Sequence, residues 1–152
     1  MDTSSLISVL SLAVALTALI IAPYFTHRQA VTQMRQAWIN SLRDSVAEFL
    51  SLASLPHLAF GFRWSGGAEI PPDLYGKLML LDKKIELLLN RGTESHRTLI
   101  VAVHQLVELI HTRQRDLGNR QFYERKYEFE NLITSVTQDI IRYEWIRTKR
   151  FI

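Results

Sequence analysis

The feature that most constrains this chain is an uncharged apolar run close to its N-terminus. Residues 6–22 read LISVLSLAVALTALIIA, and these 17 residues contain no charged side chain. A helix of about 20 residues crosses roughly 30 Å of hydrocarbon, so the run fits a membrane span. A cleaved signal peptide is the alternative, but its start is normally basic, and residues 1–5 carry only Asp2. We therefore predict that residues 1–26 form an uncleaved N-terminal transmembrane anchor.

Charged residues next to the run predict its orientation. Arg28, Arg35 and Arg43 follow the run, whereas no basic residue precedes it. Under the positive-inside rule the C-terminal part lies in the cytoplasm and the short N-terminus lies outside. Tyr24 and Phe25 stand where aromatic residues commonly anchor a helix at the membrane interface. The expected topology is a single pass.

The anchor also has a stripe of small residues at helical spacing. Stripes of this kind let membrane helices pack closely, and serine can hydrogen-bond across them. Either the stripe is a packing seam of a homo-oligomer, in which a ring of anchors could line a narrow polar passage, or it reflects how common Ala and Ser are. The residues of this helix-packing seam are Ser4, Ser8, Ser11, Ala15, Ala18 and Ala22.

The rest of the chain has the composition of a folded helical domain. Apolar residues make up 47% of its 152 residues, which is enough for a core. The net charge of +3 is compatible with a nucleic-acid partner or an anionic membrane surface. No cysteine is present, which excludes disulfides, thiolate metal sites and thiol nucleophiles.

Hydrophobic periodicity predicts four helices after the anchor, over residues 28–55, 73–90, 93–117 and 120–150. It places Met34 and Tyr143 on buried faces, and Asp73 and Thr93 are predicted to be the N-caps of the second and third of these helices. We therefore expect an all-α protein in which residues 27–152 form a four-helix bundle. Pro56 is predicted to end the first of these helices, and Gly92 is expected to take the left-handed conformation after the second.

Residues 56–72 are predicted to be irregular because they are rich in Gly and Pro. Phe60, Phe62 and Trp64 alternate within this segment. Long loops of this kind often bind partners, so these aromatic residues are a candidate partner-binding loop. Capping of the bundle core is the alternative function.

Familiar catalytic and cofactor motifs are missing from the sequence. His96, His104 and His111 share a helix stripe, but spacings of eight and seven residues put them about 12 Å and 10 Å apart, too far to share one metal ion. Neither HExxH, nor a nucleophile elbow, nor a phosphate-binding loop occurs. No metal, cofactor or DNA partner is predicted.

Arg91 and His96 flank a predicted helix break and the start of the following helix. Free amides and the helix dipole make such a start a possible anion site, where Arg91 could grip a phosphate. His96 could transfer a proton near neutral pH, which would suit metal-independent cleavage of RNA. The alternative is a helix-to-helix turn without chemistry.

The motif Arg91-Gly-Thr-Glu-Ser-His96, placed at a helix start of a bundle, resembles the Arg-x4–6-His motif of the HEPN superfamily. Together with the single N-terminal anchor, the layout is similar to the small membrane accessory proteins of type VI-B CRISPR systems. HEPN nucleases usually have Asn, Asp or His after the Arg, and Gly92 stands there, which favours a structural or regulatory motif.

The resemblance implies a homo-oligomeric, pore-forming antiviral defence protein of the bacterial inner membrane. It would enhance an RNA-guided, RNA-cleaving CRISPR effector by permeabilising that membrane, with RNA or the effector as further partners. Two alternatives stay open: a membrane-tethered, metal-independent HEPN ribonuclease that uses Arg91 and His96, and a non-enzymatic membrane adaptor.

Overall fold

The computed structural model describes residues 3–60, 72–112 and 119–149. These residues form four α-helices, and none of the described residues lies in a β-strand. The all-α fold class predicted from the sequence is thus confirmed. The helices are α1 (Thr3–Phe60), α2 (Pro72–Leu88), α3 (Glu94–Thr112) and α4 (Asn119–Lys149).

Helix α1 is one continuous helix of 58 residues that includes both the predicted anchor and the predicted first bundle helix. The described residues therefore form four helices where the sequence suggested five, and the predicted boundary after residue 26 lies inside α1. The expectation that Pro56 ends this helix is wrong, since α1 continues to Phe60. A proline removes one backbone hydrogen bond and strains the preceding turn. Packing of the fully buried Phe49 and Ala53 just before it holds the helix in register.

The two halves of α1 differ in burial. The first, here called the apolar half, is represented by residues 10–26, and the second comprises residues 27–60. The first is long and apolar enough to cross a membrane, and none of its apolar window is buried inside the structure. The second half enters the bundle, where Ile39 is the first buried side chain among those described for α1. The large exposed apolar residues of the first half are Leu10, Leu12, Val14, Leu16, Leu19, Ile21, Tyr24 and Phe25.

The second half of α1 packs with the other three helices into a four-helix bundle. In this bundle α1 contacts α2 and α4, and α3 contacts α2 and α4. The fully buried centre contains side chains from all four helices, as periodic apolar faces require. Its largest apolar members are Leu42, Phe49, Leu78, Ile85, Leu99, Val103, Leu106 and Ile133.

Two residues assigned to buried faces from periodicity lie outside the core. Met34 is 73% exposed because α1 has not yet entered the bundle at that level, and Tyr143 on α4 is 66% exposed. Helix α2 begins at Pro72, so Asp73 lies in the first turn and is not the cap. Proline suits the first helical position, and an acidic side chain beside it stabilises the helix dipole.

Contacts along α1 define which end of the bundle faces the apolar half. Ser54 bonds to Glu130 of α4, whereas Trp38 bonds to Leu88 at the end of α2. Trp38 also stacks on His96, whose ring is close enough to Glu144 of α4 to interact with its charge. Because Glu130 pairs with Ser54 and Glu144 lies near the level of Trp38, α4 runs antiparallel to α1. The C-terminal end of α4 and the α2–α3 turn both lie on the side of the bundle from which the apolar half of α1 extends.

Candidate functional site

The α2–α3 corner, residues 89–96, is built around the side chain and backbone of Asn90. The Asn90 carbonyl oxygen accepts a hydrogen bond from the Thr93 amide at 3.1 Å. Its side-chain Oδ1 accepts another from the Gly92 amide at 2.9 Å. Asparagine commonly closes turns in this way. Helix α3 then begins at Glu94, with the first helical bond from the Arg97 amide to the Thr93 carbonyl. Thr93 thus precedes the helix as predicted.

The expected left-handed conformation of Gly92 is wrong. Its φ lies outside the positive range that favours glycine, because the Asn90 side chain closes the turn and no left-handed residue is needed. A β-carbon at this position would meet Asn90 Oδ1 at 3.2 Å, which is a tight contact. The preference for glycine here comes from this close approach.

Arg91 is bound to an acidic residue of the preceding helix. Its guanidinium forms an ion pair with Glu86, and Glu86 also accepts a hydrogen bond from Lys83 at 2.8 Å. Hydrogen bonds from Lys83 and Arg91 lower the pKa of the Glu86 carboxyl to about 2. Arg91 nonetheless keeps 76% of its side chain exposed.

His96 accepts a backbone hydrogen bond and packs on an aromatic ring of α1. Its Nδ1 accepts from the Asn90 amide at 3.0 Å, so the ring proton lies on Nε2. Its ring stacks on Trp38 with centroids 6.1 Å apart. Burial lowers the pKa of the imidazole, while the negative charge of Glu144 on α4 acts in the opposite direction. Both the bond and the burial favour the neutral ring.

Trp38 joins the membrane-directed helix to this corner. Its Nε1 donates a hydrogen bond of 2.7 Å to the carbonyl oxygen of Leu88, in the last turn of α2. That carbonyl has no partner inside its own helix, as is usual at a helix C-terminus. The indole thus fixes the position of α1 relative to both α2 and His96.

A phosphodiester bound at the corner would compete with contacts that the chain itself supplies. Arg91 and His96 have separate partners, Glu86 and Asn90, which the chain itself supplies. A phosphate at the start of α3 would also meet the acidic Glu94 in its first turn. The geometry matches the structural or regulatory interpretation of the Arg-x4-His motif better than the ribonuclease alternative, which would require Arg91 to leave Glu86.

One buried acidic residue was missed from the sequence. Asp82 on α2 is 1% exposed, and its Oδ2 lies 3.3 Å from His104 Nδ1 on α3 and 3.5 Å from Lys83 Nζ. The signal was available: Asp82 stands between Leu81 and Ile85 on the apolar face of α2, where an acidic residue requires a partner. The Asp82–His104 contact connects α2 and α3.

The predicted packing seam lies on the apolar half of α1. Ser11, Ala15, Ala18 and Ala22 are all exposed, and the period of the helix places them on one side. Ser4 and Ser8 belong to α1 as well, but their side chains are outside the described part of the structure. Close packing of this seam against another copy stays a prediction.

The aromatic residues of the predicted partner-binding loop fall mostly outside the described residues. Phe60 is the last residue of α1, where the sequence suggested an irregular segment, and its side chain is not described. Phe62 and Trp64 lie outside the described ranges altogether. Their binding role stays a prediction.

Among the described side chains, no three His, Asp or Glu residues lie close enough together to hold one metal ion. Comparison of the chain with protein-family models, with curated proteins and with solved structures finds no match.

Proposed function

We propose that this chain is a single-pass membrane protein that assembles side by side with its own copies and permeabilises the bilayer. The observation that carries the proposal is the apolar half of α1, whose large described side chains are not covered by any other described part of the structure, while its other half enters a packed core. Leu10 and Leu19 are 70% and 71% exposed. Lipid or neighbouring copies would cover them, since apolar surface of this extent is unfavourable in water.

Assembly is part of the proposal because one helix cannot enclose an aqueous path. Several copies packed along the seam of Ser11, Ala15, Ala18 and Ala22 would bring backbones close and place serine hydroxyls between helices. The rigid joint at Trp38 would transmit a rearrangement of the bundle to the anchor, because α1 is continuous between them.

We further propose that the permeabilisation serves antiviral defence at the bacterial inner membrane, as an accessory to an RNA-guided, RNA-cleaving effector. The support is the resemblance of the Arg91–His96 corner and the anchored layout to the HEPN-like accessory proteins. In this role the corner holds the bundle together or receives the activating signal, and the effector cuts the RNA.

Dye release from sealed vesicles tests the permeabilisation. Full-length protein reconstituted into dye-loaded vesicles is expected to release the dye in a manner that rises steeply with protein density. The double substitution Ala15→Leu/Ala18→Leu, which fills the seam, should reduce release at least about tenfold, because larger side chains separate the helices. Ala13→Leu, on the opposite side of the helix, is the control and should retain release. Intact vesicles at every density of wild-type protein would overturn the proposal.

The defence role has its own test. In bacteria that carry an RNA-guided RNA-cleaving effector, wild-type protein should raise protection against phage beyond that of the effector alone. The seam variant Ala15→Leu/Ala18→Leu should not raise it. Equal protection with and without wild-type protein would overturn the defence role and leave the permeabilisation to be judged by the vesicles.

A further inference from the structure

Two segments at the end of the bundle that faces the apolar half of α1 are basic and poor in acidic residues. No acidic residue occurs between Asp2 and Asp44. The last acidic residue of α4 is Glu144, which lies 3.5 Å from Arg147. Beyond it come Lys149, which is exposed, and in the sequence Arg150. The fold thus places two acid-poor basic segments, one from each helix, at the same end.

The two segments also share an aromatic pattern. Arg28 lies over the ring of Tyr24, with 4.9 Å from its Cζ to the ring centroid. Lys149 lies over the ring of Trp145, with 5.4 Å from its Nζ to the centroid. Tyr24 and Trp145 are 55% and 46% exposed. Exposed Tyr and Trp beside basic residues are the composition that favours a lipid–water interface.

Distances along α1 relate both segments to the expected bilayer. Arg28 is three residues past Phe25, or about 5 Å, which is within a headgroup layer of roughly 5–7 Å. Pairing of Ser54 with Glu130 puts Lys149 at the level of Arg35, about 15 Å past Phe25. The Lys149 side chain extends part of the way towards the headgroups. Electrostatic attraction acts over a Debye length of about 8 Å, which spans most of the distance that is left.

We propose that Arg28, Arg147 and Lys149, here called the basic collar, bind the headgroups of anionic phospholipids in the leaflet that α1 leaves. The inference rests on the proposed membrane anchor and adds the lipid class that the anchored bundle prefers. Charge complementarity and the two aromatic–cation pairs favour lipid over RNA. RNA binding would not require a position that faces the membrane, whereas Arg28 follows the span and Arg147 and Lys149 lie at the end of the bundle that faces it.

Lipid selectivity of the full-length protein tests the collar. The protein is reconstituted in nanodiscs of equal phosphatidylcholine and phosphatidylglycerol and then extracted in mild detergent, and the ratio of the two co-purified lipids is measured. Wild type is expected to retain phosphatidylglycerol in excess. Arg147→Gln/Lys149→Gln should reduce that excess at least about threefold, since each basic residue near an anionic surface contributes about fivefold at close range and screening weakens it.

The control variant also removes two positive charges, but from positions outside the basic collar. Arg120 on α4 bonds to Glu124 much as Arg147 contacts Glu144, and Lys77 on α2 is also exposed. Lys77→Gln/Arg120→Gln should leave the lipid ratio unchanged. Arg28→Gln, which lies in the expected headgroup layer, should reduce the ratio without touching α4, so the proposal can be tested even if the α4 variant misfolds.

The outcomes separate the collar from the proposed function. If the protein inserts and releases dye but retains both lipids equally, the lipid preference of the basic collar is wrong and the proposed function stands. Loss of binding to single-stranded RNA in Arg147→Gln/Lys149→Gln, with an unchanged lipid ratio, also overturns it and assigns these charges to RNA. Protein that does not insert into the nanodiscs overturns the anchor and the collar together.

Discussion

At the scale of single residues, Arg91 and His96 hold the α2–α3 corner together. A nuclease of the Arg-x4-His type would need the same two side chains for its substrate. His96 Nδ1 accepts a hydrogen bond from the Asn90 amide, and Arg91 forms an ion pair with Glu86. Trp38 donates to the Leu88 carbonyl and stacks on His96, so one indole contacts both sides of the turn. These residues therefore act first on the stability and position of the corner.

Trp38→Phe is expected to lower the free energy of unfolding by about 1–3 kcal/mol. Phenylalanine preserves an aromatic ring against His96 but leaves the partly buried Leu88 carbonyl without its donor. Chemical denaturation of the full-length protein in detergent measures the change. Trp145→Phe, at a residue that is 46% exposed, is the control and should stay within about 0.5 kcal/mol of wild type. Equal effects of the two substitutions would show that the Trp38 bond contributes nothing.

Stability is expected to fall as the pH drops below about 6.5, the ordinary pKa of histidine. Burial holds the pKa of His96 below that value, so the unfolded chain takes up its proton first, and protonation of the folded ring would break the Nδ1 bond to Asn90. His96→Phe should remove this part of the pH dependence, and the exposed His27→Gln should retain it. If the free energy of unfolding of His96→Phe fell with decreasing pH as steeply as that of wild type, His96 would not be the group responsible.

At the scale of the helices, a polar contact between partly buried side chains joins α1 and α4. Lys126, whose side chain is 7% exposed, lies 2.6 Å from Glu130, and Ser54 of α1 donates to the same carboxylate oxygen at 3.3 Å. Buried charges are stable only when paired. This contact fixes how far α4 lies along α1, and therefore where the basic collar stands.

Glu130→Ala is expected to cost about 2–4 kcal/mol, because it leaves the buried Lys126 ammonium without its partner. The double variant Lys126→Met/Glu130→Leu should be less destabilised than Glu130→Ala alone, since no buried charge remains. Thermal or urea unfolding of both variants gives the comparison. A double variant that is the less stable of the two would show that the pair itself, and not the stranded lysine, determines the cost.

The helices and their apolar faces were largely predictable from the sequence, and the joints between them were not. Leu99, Val103 and Leu106 recur at helical spacing and are fully buried, as periodicity predicts. Pro56 failed as a stop signal because tertiary packing before it outweighs a local preference. Gly92 failed because the Asn90 side chain closes the turn.

The candidate site was predictable in place and not in detail. The break before Thr93 located the corner, and Arg91 and His96 do flank it. Their partners could not be predicted. Trp38 contacts Leu88 across 50 residues of sequence, and such long-range contacts depend on how far one helix is shifted along another. Exposure of Met34 and Tyr143 has the same origin, since periodicity predicts a face without predicting where the neighbouring helix ends.

At the scale of the whole molecule, the chain is a compact bundle from which half of a long helix extends. The bundle has a buried core, whereas the extending half of α1 exposes a row of large apolar side chains. A bilayer is the solvent in which such a surface is stable, and a helix is a form in which the backbone can cross it. The proposed permeabilisation, defence role and lipid selectivity all depend on this placement.

The most direct test of that placement uses the absence of native cysteine. Single-cysteine variants at Val14, in the middle of the apolar half, and at Gln29, just beyond it, are reconstituted in nanodiscs and treated with a water-soluble maleimide. We predict rapid labelling of Gln29→Cys and almost none of Val14→Cys until the nanodisc is dissolved under denaturing conditions, because only residue 14 lies within the hydrocarbon. Equal labelling of both cysteines in the intact nanodisc would contradict the account.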